Sequence, residues 1–242
     1  MPDVILVADS HLRAEDPDLA LFVRLLRHVA VPPAHVYLLG DIFDLWIARE
    51  GFELPFHRSV IGEIEGLRRG GASITYVQGN RDYFVRERYA AGPFARVAED
   101  SLTIEQGGLR IHLAHGDLVN LADRQYQRWR RFSRSRAVGA AFGALPSAAG
   151  TKLSLYLERK FRTTNARYRL GFPEAQAEAY ARRAFRAGAQ VVVLGHFHEA
   201  RQEEYAANGG PGGKLFVLPG WREDRRYLRI DSAGTAEFVP LV

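Results

Sequence analysis

The sequence predicts an α/β fold built on a largely parallel sheet. Three observations lead there. Short apolar runs rich in Val, Ile and Leu alternate with stretches of helical spacing, the pattern of strand–helix–strand crossovers. Several of these runs stop abruptly at Asp, Asn, Gly or His, as a buried strand does when its last side chains must reach a site. The alternation breaks once, between residues 120 and 170, where helical sequence with its own charge bias intervenes. With 242 residues and 47% hydrophobic content, a single domain (1–242) carrying that insertion is expected rather than two independent domains.

In chain order, Val4 to Ala8 reads as a strand ending in Asp9-Ser10-His11. Leu19 to Ala30 has helical spacing after a Pro17 start. Val36 to Leu39 is a second buried strand, running into Gly40-Asp41-Ile42-Phe43-Asp44. Phe56 to Arg69 reads as a helix closed by Gly70-Gly71, and Ile74 to Val77 as a strand ending at Gly79-Asn80-Arg81-Asp82. Leu102 to Glu105 and Leu109 to Leu113 form a hairpin across Gly107-Gly108, and the second arm delivers His115-Gly116-Asp117. Two amphipathic helices follow. In the first, Leu121, Tyr126, Trp129 and Phe132 share one side, opposite Arg124, Arg128, Arg130, Arg131 and Arg134. The second, Ser147 to Leu170, carries Leu153, Tyr156, Leu157, Phe161 and Tyr168 on one face, with a small apolar stretch, Ala137 to Gly150, before it. Glu174 to Ala187 is a helix after Pro173, and Val191 to Leu194 a strand leading into Gly195-His196-Phe197-His198. After a Gly-rich turn (Asn208 to Gly213), short strands at Leu215 to Leu218, Arg226 to Ile230 and Ala236 to Val239 close the chain.

Composition excludes several classes. Without cysteine there are neither disulfides nor thiolate metal sites. No apolar run approaches the roughly 18 residues of a membrane span, and strand-like sequence from Val4 leaves no room for a secretory signal, so a cytoplasmic protein is expected. The net charge of +5 is unevenly placed. Residues 123–169 hold 12 Lys/Arg against 2 acidic residues, leaving 21 basic and 26 acidic elsewhere. Such a segment suits a polyanionic surface, or simply a solvated helical face.

The strand-end residues carry the chemistry. Asp9, His11, Asp41, Asn80, His115, His196 and His198 are hard oxygen or imidazole donors. Singly each motif is weak, since an Asp at a strand end is often a cap and a Gly-Asn pair often a turn. His35 and His112 read as ordinary strand or turn residues, lacking a ligand partner at a strand end. Five such motifs in fixed order point instead to one dinuclear metal site, with Asp41 as the shared carboxylate. Two divalent ions about 3.5–4 Å apart clamp the attacking and leaving oxygens of a phosphoryl displacement and ionise a water, so no Ser or Cys nucleophile is needed.

The order Asp-x-His, Gly-Asp-x-x-Asp, Gly-Asn-Arg-Asp, His-Gly-Asp, Gly-His-x-His resembles the calcineurin-like metallophosphoesterases over nearly the whole chain. Most of that superfamily has His where Arg81 stands. Arg81, the run Gly40 to Trp46 and the helical insertion after Asp117 resemble the UDP-diacylglucosamine hydrolases of lipid A synthesis. The resemblance implies a four-layer αββα sandwich with a helical cap, two manganese ions, and hydrolysis of a pyrophosphate to UMP and the acyl-sugar phosphate lipid X. It implies one metal on Asp9, His11, Asp41 and His198, and the other on Asp41, Asn80, His115 and His196. Asn80, Arg81 and His115 would be catalytic; Asn80, Arg81, Asp123, Tyr126, Asn165, Arg167 and His196 would contact substrate. Asn165 stands 31 residues before His196, where the family has its cap Asn, while Phe161 fills the family's Ser position and Tyr168 or Arg167 its Lys position. The expected partners are a glycolipid nucleotide and the anionic inner-membrane surface, met from the cytoplasmic side by a monomer, with nucleic acid disfavoured. Another dinuclear phosphoesterase, acting on nucleotides or nucleic acid, is the alternative, and a non-catalytic scaffold ranks last because every ligand position is filled.

Overall fold

The computed structural model describes residues 2–165, 171–207 and 210–241; the side chains of 162–165 lie outside the described set. Its elements are β1 (Val4–Val7), α1 (Asp18–Val29), β2 (His35–Leu38), β3 (Trp46–Ile47), α2 (Pro55–Arg69), β4 (Ser73–Val77), β5 (Asp82–Tyr83), α3 (Val85–Tyr89), β6 (Arg96–Ala98), β7 (Ser101–Gln106) and β8 (Leu109–Ala114). Then come α4 (Arg124–Ser133), α5 (Arg136–Gly143), α6 (Ser147–Asn165), α7 (Glu174–Arg186), β9 (Val191–Leu194), β10 (Arg201–Tyr205), β11 (Gly213–Val217), α8 (Trp221–Asp224), β12 (Arg226–Ile230) and β13 (Ala236–Pro240).

Two mixed sheets face each other. The first runs β13-β12-β1-β2-β4-β6, with β1, β2, β4 and β6 parallel; the second runs β10-β11-β9-β8-β7, with β8, β9 and β11 parallel. Strand alternation explains the layers. Val4, Leu6 and Ala8 point inward to meet Ile111, Leu113, Val191, Val193 and Phe216 of the other sheet. Ile5 and Val7 point outward to Phe22, Leu25 and Leu26 of α1 and to Val60, Ile61 and Ile64 of α2. On the far side, Ala177, Ala181, Ala184 and Phe185 of α7 cover Val192, Leu194, Leu215 and Val217. Strands buried on both faces read as unbroken apolar runs, which is why the sequence betrays them. The layers are helix, sheet, sheet, helix, as the resemblance implied. The β7–β8 hairpin also forms as expected, with Gly107 and Gly108 both at positive φ in the manner of a type I′ turn.

The helical excursion between β8 and α7 differs in detail from expectation. Part of the stretch expected to be a small apolar connection is a helix of its own, α5, opened by Ser135, whose side chain accepts the Val138 N–H. Its glycines lower helix propensity, but Gly139 lets α5 lie against Arg49: a Cβ there would stand 2.6 Å from Arg49 Nη2. Val138, Phe142, Leu153, Leu157 and Phe161 pack on Leu45, Ile47, Phe52, Tyr83 and Phe84, which tie the helices to the two-stranded β3–β5 sheet. Tyr156 was expected on that face, yet it is 59% exposed. Of the expected residues here, Arg167 and Tyr168 lie outside the described residues. Among the described residues no helix is long and apolar enough to cross a membrane.

Candidate metal centre

Both sheets end their parallel strands at one seam. Asp9 follows β1, Asp41 follows β2 and Asn80 follows β4, while His115 follows β8 and His196 and His198 follow β9. Backbone bonds lock the strand ends together: Asp9 N–H to Gly40 O (3.1 Å), His11 N–H to Asp41 O (3.1 Å) and Gly195 N–H to His115 O (2.8 Å). Bonds also cross between the sheets, among them His196 N–H to Asp9 Oδ2 at 2.7 Å. Approach this close needs glycine. A Cβ at Gly79 would lie 2.3 Å from Asp41 Oδ1, and one at Gly40, whose φ is +80°, would lie 2.4 Å from Gly79 N.

The seam gathers all seven expected donors. Asp9 Oδ1, His11 Nε2 and His198 Nε2 form one group, with His11 Nε2 3.1 Å from His198 Nε2 and Asp9 Oδ1 3.7 and 3.5 Å from the two imidazoles. Asp9, Asp41 and His115 form a second, and Asn80 Oδ1 joins it 3.0 Å from His115 Nε2. Asp9 is common to both groups, whereas Asp41, the carboxylate expected to bridge, stands in the second. The His196 ring lies 5.1 Å from that of His115.

These residues fit divalent cations, and the chain binds them. Asp9 Oδ1, His11 Nδ1 and His198 Nδ1 are buried without a hydrogen-bond partner. Five donor residues, Asp9, His11, Asp41, His196 and His198, hold left-handed backbone (φ of 45 to 72°), a strain that persists only where the surroundings enforce it. His115 Nδ1 donates to Leu39 O at 2.7 Å, which orients the ring so that Nε2 faces the other donors. Without a cation the charges are poorly matched. Burial pushes the Asp41 carboxyl up to about 7, and burial with the neighbouring His115 pushes His196 down to about 4. Burial also works against a charged His198, but the neighbouring carboxylates of Asp9 (3.5 Å) and Glu223 (3.8 Å) outweigh it and lift that imidazole to about 10.

Around the donors lie three motif residues to which the sequence assigned no role, Asp82, Asp44 and Asp117, and one it did not single out, Arg222. Asp82 is fully buried, and its Oδ2 accepts from Gly79 N–H (2.7 Å), Asp41 N–H (3.1 Å) and Tyr76 OH (2.9 Å). Asp44 takes the Arg81 guanidinium on both its carbonyl (2.9 Å) and its Oδ1 (2.7 Å), so Arg81 pairs with Asp44 and not with its neighbour Asp82. Asp117 accepts from Tyr126 OH and Arg130 Nε, fastening α4 to the loop after His115. Arg222 of α8 donates to His11 O at 2.7 Å and pairs with Asp16 and Asp18.

The expected substrate residues divide. Tyr126 faces the centre through Asp117, while Asp123 serves as the N-cap of α4, accepting the Tyr126 N–H at 2.8 Å. Asn165 is the last residue of α6. The basic side of α4 is not one solvated face: Arg130 pairs with Asp100 and Asp117, and Arg134 donates to Gly79 O. Trp129 and Phe132 remain 47% and 63% exposed.

No family model matches the chain. A solved archaeal phosphodiesterase superposes with a TM-score of 0.50 at 14% identity, covering 99% of each chain, which shows the shared fold. Among curated proteins, a UDP-2,3-diacylglucosamine hydrolase of Ralstonia nicotianae is 32% identical over 98% of this chain and 92% of its own length. One from Neisseria meningitidis serogroup C is 30% identical over 100% of this chain and 99% of its own. With this identity maintained from end to end, the chain belongs to the UDP-2,3-diacylglucosamine hydrolase family.

Proposed function

We propose that the protein hydrolyses the pyrophosphate bond of UDP-2,3-diacylglucosamine, giving UMP and lipid X in lipid A biosynthesis. The observation that carries this reading is the buried oxygen and imidazole cluster at the seam, in a chain with end-to-end kinship to hydrolases of that name. Two divalent ions, manganese in this reading, would sit on Asp9, His11, His198 and Asp41 and on Asp41, Asn80, His115 and His196; when bound they supply Lewis acidity and an ionised water. The chain does the rest. Asp82 and Gly79 fix the Asp41 loop, and Arg81, steadied by Asp44, holds a guanidinium beside Asp41 where charge builds on the phosphate. The acyl chains would lodge among Leu153, Leu157 and Phe161 of α6 and the β3–β5 residues beneath them. Trp129 and Phe132, flanked by Arg124, Arg128 and Arg131, would rest on the anionic cytoplasmic leaflet as an interfacial helix.

The test is substrate choice. Purified protein should release UMP from UDP-2,3-diacylglucosamine and act poorly on a generic aryl phosphodiester, because binding energy from the rest of the substrate helps position the phosphate. Equal turnover of the two would favour a generic phosphoesterase acting on nucleotide or nucleic-acid esters.

A further inference from the structure

Helix α6 has two working faces. Leu153, Leu157 and Phe161 turn toward the apolar cluster on β3 and β5. Leu155, Glu158 and Arg159 lie on the opposite side of the helix and wall a separate cleft of about 470 Å³, whose other wall is the loop 13–17 together with Arg222. That size is ordinary for a small-molecule site. The two regions therefore offer opposed chemistry, greasy on one face of α6 and charged on the other.

The charged cleft opens beside the donors. Arg13 stands two residues from His11, and its Nε lies 3.7 Å from Asp44 Oδ2. Asp44 Oδ1 is in turn 3.7 Å from His11 Nδ1. Arg222 is already committed, to Asp16, Asp18 and the His11 carbonyl. Arg13 is held more loosely, by the 3.7 Å ion pair with Asp44: its Nε is buried and makes no hydrogen bond, although a guanidinium suits a forked phosphate contact. Opposite it, Arg159 is exposed on α6. The Glu15 carboxylate can accept from sugar hydroxyls, as acidic residues do at ribose, and Leu155 and Pro17 offer apolar surface to a planar base.

We propose that this cleft holds the nucleoside monophosphate half of the substrate, so that α6 sorts the two halves of the molecule to its two faces with the reacting pyrophosphate at the seam. The proposal rests on the UDP-2,3-diacylglucosamine reading. In that reading the acyl-sugar half belongs on the apolar face, and a polar cleft next to His11, walled by Arg13, Arg159 and Arg222 and by Glu15, Asp16 and Glu158, leaves the nucleotide as its complement.

UMP is the probe, measured by direct binding and as a competitive inhibitor. Arg13→Ala and the surface variant Arg159→Glu should each raise the UMP inhibition constant and the substrate KM roughly tenfold, the loss expected for one charge-assisted contact. Because the contact is made equally in ground and transition states, kcat should fall much less than KM rises. Inhibition by lipid X should not change. If wild type turns over the substrate but neither variant alters UMP inhibition, the placement is wrong. If lipid X inhibition weakens instead, the cleft holds the other half and the placement is reversed. If wild type releases no UMP from UDP-2,3-diacylglucosamine, the function itself fails, and the cleft assignment with it.

Discussion

Asp82 offers a sharp test of how the centre is held. Its carboxylate touches no expected metal position, yet Oδ2 takes two backbone N–H groups, of Gly79 and Asp41, in a place without solvent access. Asp82→Ala strands both donors, while the Tyr76 hydroxyl that also points there can rotate away. Each stranded buried donor costs about 1–3 kcal/mol, so the variant should lose about 2–6 kcal/mol. Many domains have only about 5–15 kcal/mol in total, so the protein should still fold but with a visibly lower denaturation midpoint. Asp82→Asn keeps an acceptor oxygen in the same place and should recover most of the loss. The loosened Asp41 loop should also weaken metal binding by roughly 10–100-fold, as loss of a supporting partner does at other metal sites. Urea denaturation of the metal-free protein and Mn²⁺ titration measure the two effects separately. An Asp82→Ala protein with wild-type midpoint and wild-type Mn²⁺ affinity would refute the reasoning.

Chelation should abolish activity and Mn²⁺ restore it, and Asp41→Asn should lose nearly all of it; full turnover by metal-free protein would remove the dinuclear reading. Arg81→Ala should lower kcat by roughly 10²–10³, the scale of losing one oxyanion donor, with only part recovered by lysine, which lacks the planar fork; unchanged kinetics would take Arg81 out of the reaction. His57 is held neutral: burial pushes its imidazole down to about 3, while Nδ1 accepts the Leu54 N–H and Nε2 donates to Leu45 O. Its folded value is below the unfolded one, so the stability it contributes is complete above about pH 6.5 and declines toward pH 3, by about 1.4 kcal/mol per unit. His57→Gln should flatten that part of the stability–pH curve, and parallel curves for the two proteins would contradict it. Reversing Arg124, Arg128 and Arg131 to Glu should weaken co-sedimentation with anionic vesicles while sparing hydrolysis of a short-chain soluble substrate; undiminished pelleting would return α4 to a solvated face.

The donors were legible because each closes an apolar run, and a strand that ends in Asp or His exposes its purpose in one dimension. Their supports were not. Arg81 and Asp82 are neighbours, yet Asp82 opens β5 and turns into the core while Arg81 turns to Asp44, 37 residues earlier. No local pattern announces that pairing. The β3–β5 sheet was invisible for a similar reason: two-residue strands are too short to show a period, and they exist because Trp46 pairs with Asp82 across the chain. The basic face of α4 misled because a helical wheel reports which side a residue occupies and not what packs there. Arg130 and Arg134 lie where Asp117, Asp100 and the Gly79 carbonyl wait for them.

The seam between the sheets gives the centre a mechanical meaning. Asp9, His11, Asp41 and Asn80 belong to one sheet, and His115, His196 and His198 to the other. Any cation held by both sets acts as a clasp between the two halves of the sandwich, and its binding free energy opposes their separation. A small slip of one sheet over the other would misalign the donors while most of the core was still packed. The donor geometry, read as Mn²⁺ affinity, is then a gauge of sheet alignment: under stress the metal-free protein loses it ahead of the fold itself, whereas with metal in excess activity is retained nearly to unfolding.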